Sequence, residues 1–263
     1  MKKPLIAYFC LAYALSWCVF IPLALAARGA IPALPAWLHQ VGAFGPLLAS
    51  LIVTAAISGK AGLSELFSRM TRWRIGWLWM GVALLSPVVV FLLASLGIGL
   101  LNGDWSSLRQ FGKVSELPQL GWWSGWLVWI LTFGLGEESG WRGFALPRLQ
   151  KDHSARSASL VLGALWAGWH LPTFWYNYTP SLFGVLAFTI GILSGAALLT
   201  WLYNSTGGSL LATILWHGSY NAAVASAGGG VSAVVTAVVI LAVIIIANRY
   251  GPETLSWREK QTL

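Results

Sequence analysis

Charge is what this sequence has least of. Only 9% of its 263 residues are Asp, Glu, Lys or Arg, while 57% are hydrophobic. A water-soluble domain carries roughly a quarter charged residues, and a larger core would not remove the need for a solvated surface. A soluble globular protein is therefore excluded, and lipid must be the solvent for most of the surface. Cysteine is nearly absent too. Cys10 and Cys18 are the only two and stand eight residues apart in one apolar run. That spacing along a helix is too long for a disulfide, so both are expected to be buried thiols acting as small hydrophobes. Acids number eight against sixteen Lys and Arg. The resulting excess of positive charge is not gathered on one amphipathic face, so no nucleic-acid partner is expected. Trp is abundant instead, with seventeen copies, and Trp favours the lipid–water interface.

Eight apolar runs approach the ~20 residues that a helix needs to cross a bilayer. They lie near 4–26, 36–58, 76–101, 122–147, 157–176, 181–203, 208–226 and 230–248. Open sheets would leave backbone groups unpaired in lipid, so the expected fold is an all-α integral membrane protein, a bundle of about eight transmembrane helices. The gaps are short, which predicts a single multi-pass domain over 1–263. Lys2 and Lys3 followed by apolar residues and Ala24-Leu25-Ala26 resemble a secretory signal. The length of that run, with Trp17 and Pro22 inside it, favours a retained first helix instead.

Basic residues alternate between gaps. Lys2 and Lys3, then Lys60, Arg69, Arg72 and Arg74, then Arg148, Lys151 and Arg156, then Arg249, Arg258 and Lys260 fall on one side. The other side holds Arg28 and a balanced set of Asp104, Arg109, Lys113 and Glu116. An excess of Lys and Arg marks the cytoplasm, so both termini are expected there. The short loops suit a bacterial plasma membrane. Weaker signals are a GxxxG spacing at Gly191 and Gly195, which lets helices approach closely, and two glycosylation-like triplets at Asn177-Tyr178-Thr179 and Asn204-Ser205-Thr206. No internal repeat of the kind found in many transporters is evident.

Ionisable residues inside a membrane span are costly and mark function by default. Glu137 and Glu138 lie within the fourth run, in Gly136-Glu137-Glu138-Ser139-Gly140-Trp141-Arg142-Gly143. Glu138 and Arg142 are four apart on one helix face, so an ion pair is expected between them. Glu137 is rotated about 100° away and is expected to face another helix, without a partner on its own. His170 lies in the fifth run, while His217 and Asn221 share a face of the seventh. At about 1.5 Å per residue, Glu137, His170 and His217 lie roughly 20, 21 and 14 Å below the basic surface. Three helices thus carry polar groups to similar depths, which predicts a shared polar chamber. His39 and His153 lie near a helix end and in a loop, where water is expected to solvate them.

At these residues the sequence resembles the CAAX protease and bacteriocin-processing family, intramembrane peptidases that include the type II CAAX prenyl endopeptidase. That family shows EExxxR, FxxxH and HxxxN or HxxxD on successive helices. Here the motifs read Glu137-Glu138 to Arg142, Trp166 to His170 with Trp replacing Phe, and His217 to Asn221. They span residues 137–221, and the N-terminal half matches only as generic membrane spans. The resemblance implies an intramembrane endopeptidase acting on a membrane-associated or lipid-modified peptide. It implies that Glu137 is the general base, that His170 helps hold and deprotonate water, and that His217 and Asn221 stabilise the oxyanion. Glu138 and Arg142 would be the supporting pair. The same Glu137, His170 and His217 could instead hold Zn²⁺; no required cofactor is the preferred expectation. The competing functions are a proton-coupled transporter, and an idle immunity or scaffold protein of the same fold.

Overall fold

The computed structural model describes residues 2–177 and 181–263. All eight apolar runs are helical, and the described residues contain no strand. Helix α1 covers Lys3–Ala27 and has Pro4 in its first turn. A short α2, Leu38–Gly42, leads into α3, Gly45–Met70. Helix α3 breaks at Gly59, whose φ of 55° and ψ of −149° suit a residue without Cβ. The apolar run therefore ends near residue 58 as expected, and a second helical segment continues to Met70. Helix α4 is Trp77–Asn102.

The fourth run forms one rod, α5, over 122–152. Its α-helical parts are Trp122–Trp129, Leu135–Gly140 and Leu146–Asp152, joined by π-helical turns at Ile130–Gly134 and Trp141–Ala145. Such turns often accompany functional positions, and these two bracket the Glu-Glu motif. Helices α6 (Ala155–Trp169), α7 (Leu182–Ser205) and α8 (Leu210–Val224) each start at a serine, Ser154, Ser181 and Ser209. Each hydroxyl accepts a first-turn N–H, from Ser157, Gly184 and Ala212, which satisfies a donor the helix cannot. Helix α9 is Gly229–Thr254.

Five helical stretches are long and apolar enough to cross a membrane: Lys3–Ala27, Leu38–Met70, Trp77–Asn102, Leu182–Ser205 and Gly229–Thr254. The remaining three runs form helices that are shorter or interrupted. Helices α6 and α8 have 15 residues each, about 22 Å of helix against a hydrocarbon thickness of ~30 Å. Helix α5 is long but interrupted and carries the buried charges. These three bear the polar motifs. Residues 136–147 of α5 are buried without a break, so its middle is the core of the bundle. A Cβ on Gly136 would come 2.7 Å from the Ala43 carbonyl oxygen, and one on Gly140 would come 2.5 Å from that of Pro46. Glycine at both positions lets α5 lie directly on the start of α3.

Two opposite faces collect the loops as the charge alternation predicts. On the basic face, Lys2 pairs with Asp152 at 3.0 Å and Lys260 donates to the His153 carbonyl at 3.1 Å. Ser209 donates to the Arg72 carbonyl there at 2.7 Å, and Gln150 to that of Gln261 at 2.8 Å. Both described chain ends thus sit on this face. On the other, Gly112 N–H donates to Ala222 at 2.8 Å and Ser226 to Lys113 at 3.2 Å. Tryptophan divides between these faces and the interior. Trp73, Trp77 and Trp257 are exposed toward the basic end and Trp122 and Trp123 toward the other, whereas Trp141 and Trp169 are fully buried.

Three smaller sequence features remain. Cys10 and Cys18 are exposed rather than buried, because they lie on the outer side of α1. Asn204 is fully buried and gives its amide to Gln150 and to the Thr254 carbonyl, which leaves no accessible acceptor in that triplet. Of the other triplet, Tyr178 and Thr179 lie outside the described residues.

Candidate active site

Glu137 and Glu138 emerge from the middle of α5 in different directions. Glu137, 1% exposed, lines a cavity of about 740 Å³. His170, at the end of α6, and His217 and Asn221, on α8, line the same cavity. Three helices therefore bring these four predicted residues together, while Glu138 and Arg142 lie behind the wall.

The hydrogen bonds assign each group a distinct setting. The expected Glu138–Arg142 pair is present at 2.8 Å, with both side chains fully buried. The same Glu138 oxygen, Oε1, also meets His217 Nδ1 at 2.9 Å. This link joins the second glutamate to the third motif, and no spacing rule on one helix could have found it. Arg142 also lies over the Trp166 ring, 4.9 Å from its centroid. A carboxylate accepts only, so Nδ1 of His217 carries the proton in that bond. His170 Nδ1 faces the Trp166 carbonyl at 2.8 Å, again an acceptor. In a neutral His170 ring, Nε2 is then the free lone pair.

Glu137 differs from expectation in having a partner on its own helix. Its Oε2 accepts from Trp141 Nε1 at 3.1 Å, one turn along α5, and from Trp166 Nε1 at 2.6 Å on α6. The exchange of Phe for Trp at position 166 therefore adds a hydrogen-bond donor to the carboxylate, beyond filling space. Both indoles occupy Oε2, so Oε1 is the oxygen left for water. The sequence signal was there: Trp141 stands four residues after Glu137, and Trp166 four before His170.

His39 is the other residue underestimated in sequence. It is 8% exposed and lines the cavity, because α2 tucks beneath the loop after α6. Its Nδ1 meets Tyr176 Oη at 2.8 Å and its Nε2 meets the Asn177 amide at 3.2 Å, so protein groups replace the expected water. Gly191 and Gly195 are also misjudged as close-packing positions. A Cβ on either would meet its nearest neighbours at 3.7 and 3.9 Å, ordinary contact distances. Both glycines line the cavity wall instead.

Among the described residues, no three His, Cys, Asp or Glu side chains are grouped so as to hold one ion. His217 gives Nδ1 to Glu138, and Glu137 gives Oε2 to two indoles.

Comparison with known proteins falls on the same stretch of chain. Residues 119–223 match the model of the type II CAAX prenyl endopeptidase Rce1-like family. The chain is also 30% identical over 143 residues to CAAX prenyl protease 2 of Methanococcus maripaludis, across 52% of this chain and 51% of that protein. The chain thus spans about half the length of the curated relative it matches. The matched stretch contains all three motifs and every hydrogen bond made to Glu137 and Glu138. Over residues 119–223, this multi-pass membrane protein is similar to the type II CAAX prenyl endopeptidase Rce1-like family.

Proposed function

We propose that the protein is an intramembrane endopeptidase of a bacterial plasma membrane, which hydrolyses a peptide bond in a membrane-associated or lipid-modified peptide. The observation that carries this reading is the convergence of Glu137, His170, His217 and Asn221 from three helices on one cavity. The family match over 119–223 supports the same class of reaction.

In the proposed reaction, water held by Glu137 Oε1 and His170 Nε2 attacks the peptide carbonyl carbon. Its proton passes to Glu137 as the C–O bond forms. The carbonyl oxygen takes the negative charge and meets His217 and Asn221. For His217 to donate from Nε2, both ring nitrogens must be protonated, since Nδ1 already donates to Glu138. Glu138 Oε1 then lies against both the imidazolium and the Arg142 guanidinium. Breakdown cleaves the C–N bond, and the leaving amine takes the proton back from Glu137. Glu138 and Arg142 hold the His217 ring and the helix without touching the reacting atoms. No step of this proposal requires a metal.

The test is a mass-spectrometric comparison of cleaved membrane peptides from wild-type and Glu137→Ala cells. Peptides produced only by the wild type support the reading, and identical profiles defeat it. Activity of the purified protein should also survive exhaustive chelation. Loss of activity restored only by Zn²⁺ would overturn the metal-free mechanism while sparing the peptidase.

A further inference from the structure

The cavity has a direction. At its base lies Glu137, in the buried middle of α5; at its other extreme lie Ser115 and Asn177, both exposed, with Glu116 half-buried beside them. Those three belong to the loops between α4 and α5 and between α6 and α7. These loops form the face opposite Lys2, Arg72, Arg148 and Lys260. Among the described residues that line the cavity, none is a Lys or Arg. The cavity therefore reaches the face poor in basic residues at Ser115 and Asn177, opens sideways between α7 and α9 at Ile190 and Ala237, and has the buried Glu138–Arg142 pair between it and the basic face.

Glu116 gives this mouth a sign. Apart from Glu137, it is the only acid lining the described cavity. Gln40 holds it, with Nε2 at 3.4 Å from Glu116 Oε2, and Ser115 Oγ lies at 3.2 Å from the same oxygen. Gln40 is 6% exposed, and its Oε1 accepts from Thr132 at 3.1 Å. A chain from the rod α5 thus positions the carboxylate, and no Lys, Arg or His among the described residues forms an ion pair with it. A fixed carboxylate at the rim of a largely apolar cavity favours a cation on whatever enters.

The side on which Lys and Arg accumulate is the cytoplasmic one. We propose that the cavity is loaded from the extracytoplasmic side, by a peptide whose Lys, Arg or N-terminal amine sits against Glu116. This deepens the peptidase reading of the same cavity and rests on it for the word substrate; the side and sign of the mouth do not depend on turnover.

The test uses the full-length protein with Cys10→Ser and Cys18→Ser, whose thiols are exposed, and with Glu137→Gln to prevent turnover. In intact cells, a membrane-impermeant maleimide should label Ser115→Cys, and should label Lys151→Cys on the basic face only after permeabilisation. In the purified protein, a Leu-rich octapeptide amide with one Lys should slow labelling of Ser115→Cys several-fold. The same peptide with Gln for Lys should not, and Glu116→Gln should abolish the difference. Labelling of Ser115→Cys only from the cytoplasm, or equal protection by the two peptides, would overturn the proposal. Failure of the peptidase reading would show separately, as no Glu137-dependent peptide cleavage by the wild type.

Discussion

Two sides of the same helix turn carry opposite solutions to burying a carboxylate. On the cavity side, Glu137 has only neutral indole donors and keeps an oxygen for water. On the sealed side, Glu138 has a guanidinium and an imidazole on a single oxygen. Both glutamates are buried and adjacent in sequence, and a rotation of about 100° separates their settings. Ionic compensation falls on Glu138, through its Oε1 alone, and neutral donors fall on Glu137. In the proposed reaction Glu138 is therefore a positioning residue for His217 and Glu137 is the base.

The largest expected effect comes from removing the reactive member. Glu137→Gln should lower peptide hydrolysis by about two to four orders of magnitude, the range associated with a positioned general base, with thermal unfolding little changed. Initial rates and unfolding curves on the same preparation would break the comparison if stability fell instead. On the sealed side the pattern should reverse. Glu138→Gln leaves Arg142 buried without its counter-charge, which costs about 3–5 kcal/mol for a broken buried pair, and it frees the His217 ring. Denaturation in detergent should show the loss, and combining Glu138→Leu with Arg142→Leu should recover most of the stability but not the activity.

Trp166→Phe supplies a subtler probe. It restores the aromatic residue typical of the second motif and removes the 2.6 Å indole contact to Glu137. A hydrogen bond to a charged group is worth ~1.5–3 kcal/mol, so kcat should fall by about one to two orders of magnitude, with little change in folding. An unchanged kcat would mean that Trp141 alone holds the carboxylate. The smallest effect belongs to the surface. The Lys2 hydrogen bond holds the Asp152 carboxyl below its ordinary pKa. Its contribution is therefore present above the ordinary Asp range and lost as pH falls through the lowered value. Both partners are solvated, so Lys2→Ala should leave the melting temperature at neutral pH unchanged.

Much of the site could be read in advance because helical spacing is a local rule. The Glu138–Arg142 pair follows from i, i+4, and the shared depth of Glu137, His170 and His217 follows from a constant rise per residue. Spacing could not show that Trp166 and Trp141 both reach Glu137, or that Glu138 reaches across to His217. Those contacts depend on how far α6 and α8 rotate and slide against α5. His39 escaped notice for the same reason: a helix-end histidine looks solvated until the loop after α6 covers it. Gly191 and Gly195 were misjudged because a small-residue stripe fits either a close neighbour or an empty wall.

By itself the sequence determined the solvent, the helical class, the segregation of basic loops to one face and the identity of the polar motifs. Each depends on composition or on a repeat along one helix, where covalent geometry is decisive. Only the tertiary structure decided which glutamate faces the cavity, what holds it, which runs form short or interrupted helices, and where the cavity opens. These depend on contacts between residues far apart in the chain. Glu137 and Glu138 are equivalent as letters, and the packing of α3, α6 and α8 around α5 makes one a sealed ion pair and the other the base of an open chamber.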